Sequence, residues 1–242
     1  MLDIQWIHDP NAWIALGTLT LMEIVLGIDN IIFIAVLAGK LPEKKRDSAR
    51  KLGLLIAMGT RILLLFSISW LLELVGPLFT IFDHSISGKD LILIGGGLFL
   101  LWKSTREIHD KIEGNEQKEK GPVAQVSFMS VLLQIAILDV VFSLDSVITA
   151  VGMAESLTVM VIAVVLSVIV MLIFSGFVSR FVEKHPTVKV LALSFLMLIG
   201  FALVAEGWHL DIPKGYIYFA MGFSAFVEVL NLQIFKRGRK SN

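Results

Sequence analysis

Apolar residues in this 242-residue chain fall in long blocks, without the strict alternation of a half-buried strand or the narrow stripe of a soluble helix. Seven blocks can be marked: residues 12–38, 52–79, 88–102, 126–151, 157–178, 190–206 and 215–235. Six reach or approach the ~20 residues that a helix needs to cross a bilayer. The third is short, since its clean apolar core, residues 91–102, gives a helix of only about 18 Å. The pattern predicts an all-α integral membrane protein, with residues 103–125 as a charged, partly helical linker.

Composition sharpens this reading. Hydrophobic residues make up 56% of the chain and charged residues 17%, with a mean hydropathy of +0.81. A soluble domain is usually nearer one quarter charged. The net charge is zero, so no basic footprint for nucleic acid is expected. The absence of cysteine excludes disulfides, thiolate metal sites and cysteine nucleophiles. The first eleven residues are acidic and polar, unlike a basic signal-peptide start, so no cleavable signal is expected.

Lysine and arginine placement decides the third block. With seven spans and the N-terminus outside, 18 of the 21 basic residues face the cytoplasm, Lys89 and Lys214 face outward, and Arg61 lies within a span. Without the third span the best split falls to 13 against 7. The positive-inside rule therefore favours seven, and Lys103 and Arg106 can snorkel to extend the short helix.

Two stretches 116 positions apart nearly repeat each other: Leu21-Met-Glu23-Ile-Val-Leu-Gly27-Ile-Asp29-Asn30-Ile and Ile137-Leu-Asp139-Val-Val-Phe-Ser143-Leu-Asp145-Ser146-Val. Each sets two carboxylates six positions apart, followed by a small hydrogen-bonding residue, in apolar sequence. An ionisable group at membrane depth costs about 3 kcal/mol on insertion scales, so a duplicated set of four points to function. Three spans separate the copies, so they run in opposite directions. This predicts an inverted 3+3 repeat with a site near the midplane, as in secondary transporters. The whole chain is read as one membrane domain: repeat 1 over about 12–102, the linker over about 103–125, repeat 2 over about 126–209, and an additional helix over about 215–235.

The predicted metal ligands are Glu23, Asp29, Asn30, Asp139, Asp145 and Ser146, with Gln134 and Thr149 nearby and Arg61 as counter-ion. Arg61 has a second reading, as partner to a carbonyl or to Glu73. Glu23 and Asn30 share a face on a straight helix, while Asp29 lies about 120° away. Gly27 is the expected opening point. All-oxygen ligands suit Mg²⁺, Ca²⁺ or Mn²⁺. Four carboxylates cannot all stay ionised in low dielectric without cations, which suggests proton coupling. Glu206 and His209 read as a solvated rim, Glu228 and Asn231 as packing groups, and Gly95–Gly97 as a close helix contact; whether Glu206, Glu228 or Asn231 joins the site is left open.

The repeated stretches, together with His185-Pro-Thr-Val-Lys189 and Pro213-Lys-Gly-Tyr-Ile-Tyr-Phe-Ala220, resemble the TerC family, named for tellurium resistance, within the LysE-like transporter group. The resemblance covers essentially the whole chain and is strongest to short bacterial members without soluble domains. It implies a seven-helix inner-membrane protein. Several members are linked to Mn²⁺ export and need acidic residues that match Glu23, Asp29, Asp139 and Asp145 here. The resulting expectation is a divalent-metal exporter, Mn²⁺ by the resemblance, with the N-terminus periplasmic and the C-terminus cytoplasmic. Its partners are the bilayer, the ion and protons, with no prosthetic group and no enzymatic activity. Two alternatives are a non-transporting metal-binding assembly factor and an intramembrane aspartyl protease using a proton-sharing aspartate pair. Oligomeric state is left open.

Overall fold

The computed structural model describes residues 5–67, 71, 74–81, 84–113, 127–153, 156–210 and 212–238; at several helical positions, Asp29, Asp145 and Thr149 among them, it describes the backbone alone. Seven long α-helices occur among the described residues: α1 (Pro10–Ala38), α2 (Glu43–Phe66), α3 (Gly88–Ile112), α4 (Phe128–Met153), α5 (Leu157–Lys184), α6 (Pro186–Gly207) and α7 (Lys214–Gly238). Strands β1 (Pro77–Ile81) and β2 (His84–Ser87) lie between α2 and α3.

Local chemistry explains several boundaries. Asp9 caps α1 by accepting the Asn11 amide at 2.9 Å, and Pro10 occupies the first turn, where no amide bond is lost. At the start of α3, Ser87 and Asp90 form a reciprocal cap. The Ser87 amide and hydroxyl donate to Asp90 Oδ2 at 2.8 and 2.7 Å, and the Asp90 amide donates to Ser87 Oγ at 3.2 Å.

The helical class stands, and the second apolar block is corrected in detail. Helix α2 begins at Glu43 and ends at Phe66 instead of running from 52 to 79. Residues 77–79 belong to an antiparallel hairpin that pairs Phe79 with Ile86, Thr80 with Ser85 and Ile81 with His84. Gly76 and Pro77 interrupt helical propensity there, and the following Phe-Thr-Ile favours extended backbone. The short third block becomes a longer helix than its apolar core, since α3 continues through the charged residues to Ile112.

Helices α1, α5, α6 and α7 are long and apolar enough to cross a membrane, and α4 meets the same test as two segments bent by 40°, the form of a broken span or a re-entrant loop. Helices α2 and α3 do not meet that test by composition. The first nine residues of α2 carry seven charges, and α3 becomes charged from Lys103 onward.

The described parts of Met1–Ile92 and Ala124–Phe181 form one compact unit, and those of Leu93–Val123 and Val182–Asn242 a second. In the first unit, α4 packs against α2 and α1. Its core joins Leu16 and Leu19 of α1, Leu64 and Leu65 of α2, Leu144 and Val147 of α4, and Val159 and Val164 of α5. Gly53 lets α2 approach α4: an added side-chain carbon would lie 2.8 Å from Ile135 Cδ1. Arg50 reaches from α2 to α5, where Nε donates to Ser175 Oγ at 3.1 Å, and it pairs with Asp47. A hydrogen bond from Lys51, with the charge of Arg50 beside it, holds the Asp47 carboxyl below its ordinary value.

In the second unit, α6 packs on α7, and Thr187 Oγ1 donates to Glu228 Oε1 between them. Gly97 of α3 and Gly200 of α6 form a backbone contact, as expected for the Gly95–Gly97 stretch. A side-chain carbon at Gly97 would lie 2.6 Å from the Gly200 carbonyl oxygen, and one at Gly200 would lie 2.9 Å from that of Gly97. Gly95 has no such neighbour within 4 Å. Gly97→Ala is therefore expected to lower stability by about 1–3 kcal/mol, because backbone atoms cannot move aside as a flexible side chain can. Gly95→Ala is expected to melt like the native protein. Thermal unfolding of both variants in one detergent tests the contrast.

Candidate ion-binding site

Three helices bring charge into the interior of the first unit. Glu23 comes from α1, Arg61 from α2 and Asp139 from α4, and each is no more than 3% exposed. Arg61 Nη1 pairs with Glu23 Oε2, and Arg61 Nε donates to Asp139 Oδ1 at 3.4 Å. One guanidinium thus bridges the first carboxylate of each repeated stretch. The alternative reading of Arg61, as partner to Glu73, falls on a residue outside those described.

Asp139 is further engaged. Thr60 Oγ1 lies 2.6 Å from Asp139 Oδ2, and Ser143 Oγ lies 3.2 Å from the same oxygen. Thr60 Oγ1 also lies 2.9 Å from the Ala57 carbonyl. A hydroxyl has one proton to give, and an ionised carboxylate only accepts. With Asp139 ionised, the shorter contact takes the proton. Both Asp139 oxygens then have donors, and Thr60 joins Arg61 in tying α2 to α4. Sequence reasoning missed Thr60; its position beside the intramembrane arginine was the available signal.

Asn30 and Ser146 are buried on α1 and α4, at 6% and 5% exposure, and Ser146 Oγ donates to the Ser143 carbonyl at 3.2 Å. The side chains of Asp29, Asp145 and Thr149 lie outside those described. Gln134 Nε2 donates to Ser130 Oγ on its own helix at 3.2 Å. Glu228 is engaged by Thr187, as a packing role requires. Among the described residues no group of three or more acidic or histidine side chains gathers as a metal site; the described cluster is two carboxylates around one arginine. Thr20 Oγ1, three residues before Glu23 on α1, is buried with no hydrogen-bond partner among the described residues.

The helix opening differs from expectation. Helix α1 is continuous through Gly27, whose missing side chain leaves room for the Met171 thioether of α5. The bend lies in the second copy, where Phe128–Leu144 and Ser146–Gly152 meet at 40° around Asp145. Tertiary packing against Gly27 explains why its conformational freedom is not used.

Three packed helices, of which α1 and the bent α4 are long and apolar enough to cross a membrane, thus hold a buried acidic pair with one member from each repeated stretch. The family model described as "Integral membrane protein TerC family" matches residues 8–242. The chain belongs to the TerC family. It is 57% identical over 227 residues to the UPF0053 inner membrane protein YgdQ of Escherichia coli (strain K12), covering 94% of this chain and 95% of that protein. It is 56% identical over 230 residues to a UPF0053 protein of Haemophilus influenzae, covering 95% and 97%. It is also 52% identical over 237 residues to the longer UPF0053 protein YegH of E. coli, spanning 98% of this chain and 45% of that protein. No solved structure matches.

For this TerC-family protein, removing Arg61 alone from the buried triad is expected to be more harmful than removing all three charges. Arg61→Met leaves two carboxylates uncompensated, and truncating one partner of a buried pair typically costs about 3–5 kcal/mol. The neutral combination Glu23→Gln, Arg61→Met, Asp139→Asn is expected to recover most of that loss. Melting temperatures of the single and triple variants test this non-additivity.

Proposed function

We propose that this protein is a divalent metal-ion exporter of the bacterial inner membrane, with Mn²⁺ as its substrate. In this reading seven helices span the bilayer as an inverted 3+3 repeat plus α7, with the N-terminus periplasmic and the C-terminus cytoplasmic. The observation that carries the proposal is the meeting of Glu23 and Asp139, one from each copy of the repeated stretch, on the buried Arg61. The inner-membrane names of the relatives and the skewed distribution of Lys and Arg support the location and orientation.

The ligand chemistry is that of a hard cation. Carboxylates at Glu23, Asp29, Asp139 and Asp145, with Asn30 and Ser146, supply only oxygen donors. One divalent ion together with Arg61 neutralises three of the four carboxylates. Protons neutralise them when the ion leaves, which couples export to proton entry. Alternating access around the meeting of the two copies moves the site from the cytoplasmic to the periplasmic side.

The protease alternative fits this geometry less well. A proton-sharing dyad of Asp29 and Asp145 leaves the buried cluster of Glu23, Arg61 and Asp139 without a role.

Mn²⁺ uptake into inverted membrane vesicles tests the proposal. An acidic lumen is expected to drive uptake, because protons leaving the lumen correspond to protons entering the cell. Asp29→Asn is expected to abolish the gradient-driven component. Full, pH-dependent uptake by Asp29→Asn would refute the coupling. Tight Mn²⁺ binding without flux would instead favour a metal-dependent assembly factor.

A further inference from the structure

We propose that Arg50 and Arg180 form a seat for the phosphate headgroup of an anionic phospholipid, where α2 and α5 meet at the level of the bilayer headgroups. The seat is independent of the ion-carrier reading; only its leaflet, the cytoplasmic one, follows from the orientation given there.

Two guanidinium groups from different helices converge on Gly176 of α5. A side-chain carbon built there would lie 3.4 Å from Arg50 Nη2 and 3.7 Å from Arg180 Nη1. Two donors within 4 Å of one point are close enough for a single phosphate to accept from both. Arg50 is 8% exposed and held in place: its Nε donates to Ser175 Oγ at 3.1 Å, and its Nη2 pairs with Asp47. These bonds use two of the five N–H donors of a guanidinium. Arg180 is exposed. The seat therefore has one preorganised arm and one outward arm, and the glycine puts no side chain between them.

Charge and depth identify the ligand. Asp47 is shared, since Lys51 Nζ lies 2.7 Å from its Oδ2. With Glu183 and Lys184 of the last turn of α5 counted in, these turns hold four cations and two carboxylates. Like charges gathered this way repel until an anion joins them. Arg50 lies eleven residues before Arg61 on α2, about 16 Å along the helix axis. That is about half the thickness of a hydrocarbon core, and the apolar run of α2 begins at Leu52. Guanidinium groups at this height meet lipid phosphates, for which their planar fork is the favoured partner. On the same face of α5 as Arg180 lie Phe177 and Ile173, three and seven positions earlier, 66% and 70% exposed. A cationic pair above an apolar strip matches a ligand with an anionic head and acyl tails, and a soluble phosphate would leave the strip unused. Zwitterionic lipid also carries phosphate, but its ammonium opposes the surplus positive charge.

Native mass spectrometry of the full-length protein, released from micelles with added lipid, counts the lipid retained, and melting temperature in the same micelles reports its effect. Phosphatidylglycerol is the anionic probe, phosphatidylcholine the zwitterionic one and inorganic phosphate the free anion. The native protein is expected to prefer phosphatidylglycerol by about twentyfold, roughly fivefold for each arginine, and to melt higher with that lipid alone. Arg180→Gln is expected to lower the preference about fivefold. Gly176→Glu keeps both arginines and sets a carboxylate between them; it is expected to lose the preference while melting in phosphatidylcholine no lower than the native chain. Lys45→Gln removes a charge about 140° round α2 from Arg50 and is expected to retain phosphatidylglycerol as the native protein does. Equal retention of the two lipids by the native protein overturns the proposal, and so does a preference that survives Arg180→Gln or falls equally with Lys45→Gln. A melting rise with inorganic phosphate that matches the rise with phosphatidylglycerol assigns the arginines to a soluble anion and overturns the lipid. Should Gly176→Glu not fold, Arg180→Gln, at an exposed position, decides with Lys45→Gln as its control.

Discussion

The guanidinium of Arg61, buried between Glu23 and Asp139, constrains the packing of three helices at once. A charge in this environment is tolerated when its partners are close and correctly oriented, so α1 and α4 must each present a carboxylate to the same point of α2. The surrounding residues serve that requirement. Gly53 lets α2 approach Ile135 of α4, Gly27 gives space to Met171 of α5, and the leucines at 16, 19, 64 and 65 join the apolar core shared by the same helices. Thr60 adds a second hold on Asp139 from the same helix turn as Arg61.

Regular structure gives way at two places in the first unit. Helix α4 bends at Asp145, six residues beyond Asp139, and keeps its polar groups paired nearby through Ser143 and Ser146. The hairpin between α2 and α3 satisfies its own backbone groups by pairing β1 with β2, then hands the chain to α3 through the Ser87–Asp90 cap. In the second unit the demand is steric, and Gly97 against Gly200 meets it with two backbones in contact.

Much of this was legible from the chain. The duplicated acidic stretches stood out because charge is rare in apolar sequence, and Arg61 stood out for the same reason; the structure joins Arg61 to the first carboxylate of each copy. The close contact at Gly97 was legible because small residues in an apolar helix usually mark an approach. The hairpin was not, because Leu-Phe-Thr-Ile reads as apolar in either conformation and the preceding block carries no break until Gly76. The bend was placed in the wrong copy for a tertiary reason: Gly27 is the more flexible residue, but Met171 from a distant part of the chain fills the space beside it. Thr60 has an ordinary helical identity until α4 brings Asp139 within 2.6 Å.

The remaining question is why a fold with sufficient apolar packing keeps a buried triad at all. Replacing such groups by well-packed apolar residues is often neutral or stabilising, so stability alone gives no reason to retain them. The triad is also unbalanced: two carboxylates meet one guanidinium, and the same repeated stretches carry Asp29 and Asp145 in addition. An excess of negative charge, repeated in two stretches and joined by one arginine, is the arrangement that the proposed cation carrier requires, since a cation completes the balance.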